Sequence, residues 1–169
     1  MRVLSISLDK NLFIDSEVRQ RQIEYGQLSD QLHILILYPG KEEKISNNVW
    51  VYSVASRNKI KRLYSALQKA KEIVKRNRIN LITSQDPFFT ALIGWLIKRK
   101  FKIPLQIQIH TDFLSPYFGR ESFLNKIRVW LAKFLIPRAM GIRVVSERIK
   151  KSIISKYQNI EISKIISLP

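Results

Sequence analysis

Residues 104–113 read P-L-Q-I-Q-I-H-T-D-F, and the fold turns on them. Leu105, Ile107 and Ile109 alternate with Gln106, Gln108 and His110, the period of a β-strand. A helical segment ending in Lys98-Arg99-Lys100 leads into it, and Thr111 and Asp112 follow His110 directly. In an open α/β sheet, ligands sit at the carboxyl ends of the strands. His110, one of 2 histidines in the chain, therefore stands where such a fold does its chemistry. The competing reading of the same residue is a structural one, a strand cap bonded to backbone.

Upstream, residues 80–84 read as a strand with Gln85-Asp86-Pro87 as its exit. Asp86 is the expected N-cap and Pro87 the first residue of a helix over 88–100, since proline lacks an N–H that this position would not use. Residues 57–78 predict a long basic helix. Its expected buried stripe is Ile60, Leu63, Tyr64, Leu67 and Val74, with cations crowding the remainder. Earlier strands are predicted at 2–8, 32–38 and 49–54, and 41–48 reads as a charged, solvated loop. Asp15 or Ser16 caps a helix to about residue 30, with Ile14, Val18, Tyr25, Leu28 and Leu32 along one side.

Downstream, an aromatic loop over 113–119 precedes a helix over 122–136 that Pro137 ends. Phe123, Leu124, Ile127, Trp130, Leu131, Phe134 and Leu135 form the main apolar face of that helix, with Lys126, Arg128 and Lys133 around it. A strand at 142–145 follows, then a helix from 147 to about 157 capped by Ser146, and a last strand at 164–168. The alternation of strands and helices implies an α/β fold: one Rossmann-like domain with a parallel sheet of about seven strands and helices on both faces.

Composition narrows the function. The 30 Lys and Arg against 13 Asp and Glu give a net charge of +17, which favours anionic partners without choosing among them. With no cysteine, disulfides and thiolate metal sites are excluded. The opening M-R-V-L-S-I-S-L has too short an apolar run for a signal peptide, and the near-apolar run over 88–97 is too short to span a membrane. The expected location is the cytoplasm. The loop Asp9-Lys10-Asn11 holds no glycine, which argues against a dinucleotide cradle there. Neither a P-loop nor a nucleophile elbow is present, and neither a cofactor nor a metal is expected.

Four pieces carry a resemblance: I-N-L-I-T-S-Q-D-P-F, K-I-P-L-Q-I-Q-I-H-T-D, A-M-G-I-R-V-V-S-E-R-I-K and the closing I-I-S-L-P. Their order and spacing resemble the N-terminal, acceptor-side domain of the family 4 retaining glycosyltransferases of GT-B fold, over essentially the whole chain. The resemblance implies that residues 1–169 are an N-terminal, acceptor-binding Rossmann-like domain. A second, C-terminal domain, outside this chain, would hold the nucleotide-sugar donor and its acidic motif. The donor is then a co-substrate, bound mainly by that other domain. The acceptor would be a glycan or a lipid-linked sugar. His110 matches the family's cleft histidine near the transferred sugar, where it hydrogen-bonds and stabilises charge. Asp9, Lys10, Gln85, Asp86, Thr111 and Asp112 match cleft-facing loops, which implies acceptor contact. The first loop departs from the family in lacking the glycine pair many members use beside the donor phosphates.

Enzymes of this kind often take lipid-carried acceptors, so the helix over 122–136 acquires a second reading. Lys126, Arg128, Trp130 and Lys133 are expected to meet an anionic membrane surface at the inner face of the cytoplasmic membrane. Val129 and Ile136 would reach lipid while Ile127 and Leu131 face the core. The competing reading is a helix that only packs on the sheet. A wholly different reading makes the chain a basic nucleic-acid-binding or phosphoryl-ligand-binding module. Nucleic acid is disfavoured, because no strand offers the paired surface aromatics of an RNA-binding sheet.

Overall fold

The first strand, β1 (Arg2–Ser7), is buried from Val3 onward, as its apolar run requires. It lies inside the sheet of a computed structural model that describes residues 1–157 and 160–167. After β1 come α1 (Glu17–Gly26), β2 (Gln31–Ile36), β3 (Glu43–Ser46), β4 (Val49–Ser53), α2 (Lys59–Asn77) and β5 (Leu81–Ser84). Then follow α3 (Phe89–Phe101), β6 (Leu105–Ile109), α4 (Pro116–Arg120), α5 (Phe123–Leu135), β7 (Gly141–Val144), α6 (Glu147–Lys156) and β8 (Ile165–Ser167).

The strands form one sheet in the order β3-β4-β2-β1-β5-β6-β7-β8. Every pairing is parallel except that of β3 with β4. From β1 the chain builds outward to β2 and β4, then returns to place β5 on the other side of β1. The switch point thus falls between β1 and β5, the place where open α/β sheets bind ligands.

The two faces of the sheet are covered unequally. On one, Leu4, Ile6, Ile82, Leu105, Ile107, Ile109, Ile142 and Val144 pack with buried residues of α2, α3, α5 and α6 in one core. Gly94 lets α3 lie so close to β6 that a Cβ there would stand 2.7 Å from Leu105 Cδ1. On the other, Val3, Leu32, Ile34, Ile36, Val49 and Val51 form a smaller core with Leu12 and the half-buried Phe13 and Val18. Among the described residues α1 is the one α-helix packed on that side, so beyond Leu81 the α1 face of β5, β6 and β7 is largely polar: Thr83 pairs with Gln106 and Gln108 with Arg143.

The structure corrects several expectations. Among the described residues there are eight strands, close to the seven or so expected. The additional one, β3, lies in the stretch read as a solvated loop, because an edge strand with charged, half-exposed residues has no apolar alternation to reveal it. Ser16, not Asp15, caps α1 by accepting from Arg19 N at 3.2 Å, and the helix stops at Gly26. Ile14, Tyr25 and Leu28 of its expected stripe are exposed. Gly26 instead sets the approach of α1 to β4, since a Cβ there would fall 2.3 Å from Val49 Cγ2. On α2, Ile60 and Tyr64 are exposed, while Ala66, Ala70, Ile73 and Val74 are buried. Small residues let α2 sit close to the sheet. Asp86 and Pro87 precede the first turn of α3 instead of capping it; Asp86 Oδ1 accepts from Phe88 N at 2.7 Å.

The last expected strand is present as β8, with Leu168 and Pro169 outside the described residues. On α5, Ile136 just beyond its end is buried and Val129 packs on the core, whereas Phe123, Ile127 and Trp130 are exposed. Leu131 is buried as expected, but Val129 and Ile136 lie inward and Ile127 outward, against the expected outer side. Nearly the whole circumference of α5 is apolar, so periodicity could not choose its buried arc.

Candidate functional site

The site is built at the exits of β1, β5 and β6. The hydroxyl of Ser7, fully buried at the end of β1, accepts from Asp9 N at 3.0 Å and donates to Gln85 Oε1 at 2.8 Å. One side chain thus ties the first loop to the exit of β5. Asp9 Oδ1 accepts from Asn11 N at 3.0 Å, capping a short 3-10 turn in place of the absent glycine loop. On β6, Gln108 Nε2 donates to Thr83 Oγ1 at 3.0 Å. Beyond His110 the chain is anchored by Phe113, which is buried and meets the edge of Phe88 at 5.8 Å between ring centroids.

These elements enclose a cavity of about 390 Å³ on the α1 side of the sheet. Its polar lining includes Asp9, Arg21, Gln85, Gln108, His110 and Arg143, with Gln22 and Tyr25 from α1. His110 is exposed at its rim, and among the described residues neither ring nitrogen has a hydrogen-bond partner. Desolvation on its inner side, and then the cation of Arg143, hold its imidazole below the usual pKa. At neutral pH the ring is therefore uncharged, with one nitrogen to donate and one to accept. Such a lining of amides, a neutral imidazole, a carboxylate and two guanidiniums suits polar ligands, and it can orient hydroxyls or phosphates without covalent chemistry.

The structure gathers Asp9, Gln85 and His110 in one cavity. Lys10 opens the 3-10 turn and is exposed outside the cavity. Asp86 lies behind the site; burial pushes its carboxyl up, against hydrogen bonds from Thr90 and Phe88, and its contacts hold the start of α3. Thr111 is exposed past His110, and Asp112 forms an ion pair with Arg148 at 3.3 Å. Arg21, Gln108 and Arg143 were not expected at the site. The alternation of β6 and the charge inside the β7 stretch G-I-R-V were the signals available for the last two. Among the described residues no three His, Cys, Asp or Glu come together as a metal site.

On the opposite side of the molecule, the exposed stripe of α5 consists of Phe123, Ile127 and Trp130, with Lys126 and Lys133 exposed as well. Arg128 turns elsewhere: half-buried, it donates to Asn125 Oδ1 at 2.9 Å and lies 6.0 Å from the Phe88 ring. There it helps line an apolar groove of about 340 Å³ with Leu8, Leu37, Ile60, Leu63 and Phe89. Among the described residues no helix is long and apolar enough to cross a membrane.

A family model described as Glycosyltransferase Family 4 matches residues 26–166. The chain belongs to this family. It is similar in structure to sucrose-phosphate synthase from Thermosynechococcus elongatus, with a TM-score of 0.71, 11% identity, and coverage of 93% of this chain and 45% of that one. A protein from Anabaena in complex with UDP and glucose gives a TM-score of 0.62 at 14% identity, covering 99% of this chain and 44% of its own. The UDP-GlcNAc 2-epimerase of Methanocaldococcus jannaschii gives 0.63 at 15% identity, covering 99% and 45%. No curated protein matches the sequence significantly. The family 4 chain spans less than half the length of these solved relatives. Transferase and epimerase share the fold at comparable similarity, so fold alone does not select the activity. The family match adds what the fold does not, membership of a glycosyltransferase family, and with the structural neighbours it supports an N-terminal domain of GT-B type.

Proposed function

We propose that this domain is the acceptor-side half of a retaining hexosyltransferase. The enzyme moves a sugar from a nucleotide sugar to a glycan or lipid-linked acceptor, in polysaccharide or glycolipid synthesis. The donor is held mainly by a second domain across the cleft. The observation that carries this reading is His110 at the rim of the switch-point cavity, beside Asp9 and Gln85. Its neutral ring donates a hydrogen bond to the sugar being transferred and offsets charge as the glycosidic bond breaks. In the complete two-domain enzyme, His110→Ala lowers kcat by about 10²-fold, the scale for one preorganised polar group. An unchanged kcat overturns the assignment. Residues 1–169 by themselves turn over no nucleotide sugar.

A peripheral position on the cytoplasmic face of a membrane goes with a lipid-linked acceptor. Support comes from the exposed Phe123, Ile127 and Trp130 beside Lys126 and Lys133. The net charge of +17 also serves a nucleic-acid reading, but the family match and a polar ligand cavity favour the transferase.

A further inference from the structure

The cavity beside His110 holds more positive charge than a neutral sugar acceptor needs. Arg21 from α1 and Arg143 from β7 both line this space. Neither forms an ion pair with a described residue. The Nε of Arg143 is buried, and among the described residues it has no hydrogen-bond partner. A buried donor left unmade is costly, more so when it belongs to a charged group. Asp9 is the cavity's one carboxylate, and its Oδ1 is already engaged with Asn11 N. Of the neighbouring amide oxygens, Gln85 Oε1 is taken by the Ser7 hydroxyl, and no hydrogen bond from either guanidinium to a cavity amide is present among the described residues.

We infer that Arg21 and Arg143 form a subsite for a phosphoryl group of a substrate, with Gln85 and His110 completing its donors. The inference rests on the reading of this cavity as a substrate site and adds the chemical class of what enters it. Arginine presents a planar fork of N–H groups that meets phosphate oxygens two at a time. Sugar hydroxyls are matched by amides, carboxylates and imidazole, and do not call for two unpaired guanidiniums. The phosphoryl group belongs either to the acceptor, as a phosphate or diphosphate linking sugar to lipid, or to the nucleotide sugar.

The test is an NMR titration of the purified chain with octyl phosphate, UDP and glucuronate, following the His110 ring and the Gln85 and Gln108 side-chain amides. Octyl phosphate or UDP is expected to shift these signals saturably and more tightly than glucuronate. Arg143→Gln and Arg21→Gln should each weaken phosphate binding by about tenfold or more, the scale of charge-assisted hydrogen bonds. Arg143→Lys, which keeps the charge and loses the fork, should fall between wild type and Arg143→Gln. The double variant Lys75→Gln/Arg76→Gln removes charge from the exposed end of α2 and should stay within about twofold of wild type, as expected for screened, distant charges. Arg21 lies on an exposed helix position, so Arg21→Gln carries the test if Arg143→Gln fails to fold. Tighter octyl phosphate assigns the group to the acceptor, and tighter UDP to the donor; either supports the subsite. Absence of saturable shifts, preference for glucuronate, or equal weakening in Lys75→Gln/Arg76→Gln overturns it. Loss of transfer in His110→Ala together with silent arginines would leave the transferase reading standing and the phosphoryl subsite refuted.

Discussion

If α5 docks the domain on a membrane, replacing Phe123 and Trp130 by serine must weaken that docking by a calculable amount. Phe123 is 76% exposed and Trp130 65%, so most of each ring is available to lipid. A fully buried large apolar side chain is worth about 1.5–3 kcal/mol, and an interfacial helix immerses its rings only in part. Losing both rings should therefore cost about 2–4 kcal/mol, or roughly 30- to 1,000-fold in partition coefficient. Lys126 and Lys133 add on the order of 1 kcal/mol each at an anionic surface. Their charge reversal should abolish the preference for anionic over neutral vesicles. The assay is vesicle co-sedimentation at moderate salt, with thermal unfolding recorded in parallel. Both rings are largely solvent-facing, although Trp130 stacks on Phe134 at 6.3 Å, so folding should be little disturbed. Equal sedimentation of wild type and the double serine variant refutes the reasoning. Binding lost only in variants of Leu8, Ile60 or Arg128 would move the contact to the apolar groove beside α2.

Two further outcomes concern stability. His33 is buried on β2, stacked on Trp50 at 4.8 Å with Nδ1 3.0 Å from the Tyr52 hydroxyl; burial, then the Arg2 cation, lowers its pKa from 6.5 to about 4. Because the folded value lies below the unfolded one, its stabilising contribution is complete above pH 6.5 and is lost as pH falls from there to about 4. At ~1.4 kcal/mol per pH unit the loss is at most about 3 kcal/mol. Urea midpoints at pH 7 and pH 4 should therefore converge for His33→Phe relative to wild type, and parallel acid losses would contradict this. Ser7→Ala removes both bonds of a buried hydroxyl and leaves Asp9 N without its acceptor; it should cost about 1–2 kcal/mol in the urea midpoint and broaden the Gln85 amide signal, and an unchanged midpoint would show the tie to be dispensable.

The sheet was legible because its strands alternate or run apolar, as in Leu105-Gln106-Ile107-Gln108-Ile109. His110 at a strand exit was legible for the same reason. Helix faces were not legible where apolar residues surround the axis, as on α5, or where alanines and glycine do the packing, as Ala66, Ala70 and Gly26 do. Edge strand β3 was hidden by its own charges. At the site, Asp9 and Gln85 sit in loops next to strand ends and were found through the family resemblance, since no local pattern marks them. Arg21 and Arg143 meet only through topology: they lie on α1 and β7, more than 100 residues apart in the sequence, and no local pattern joins them. Charge counting was no help, because 30 cations gave no reason to choose these two.

The unequal cover of the sheet has an evolutionary reading. Each of β5, β6 and β7 turns one set of side chains into the large core and the alternate set toward the cavity side. Selection can therefore rewrite Gln106, Gln108 or Arg143 while Leu105, Ile107 and Ile142 keep the scaffold folded. Neighbouring positions along a single strand answer to different demands, so specificity can drift between substrates without passing through unfolded intermediates. A fold divided in this way is a cheap substrate for innovation, and the polar rows of β6 and β7 are the positions at which a library would be aimed.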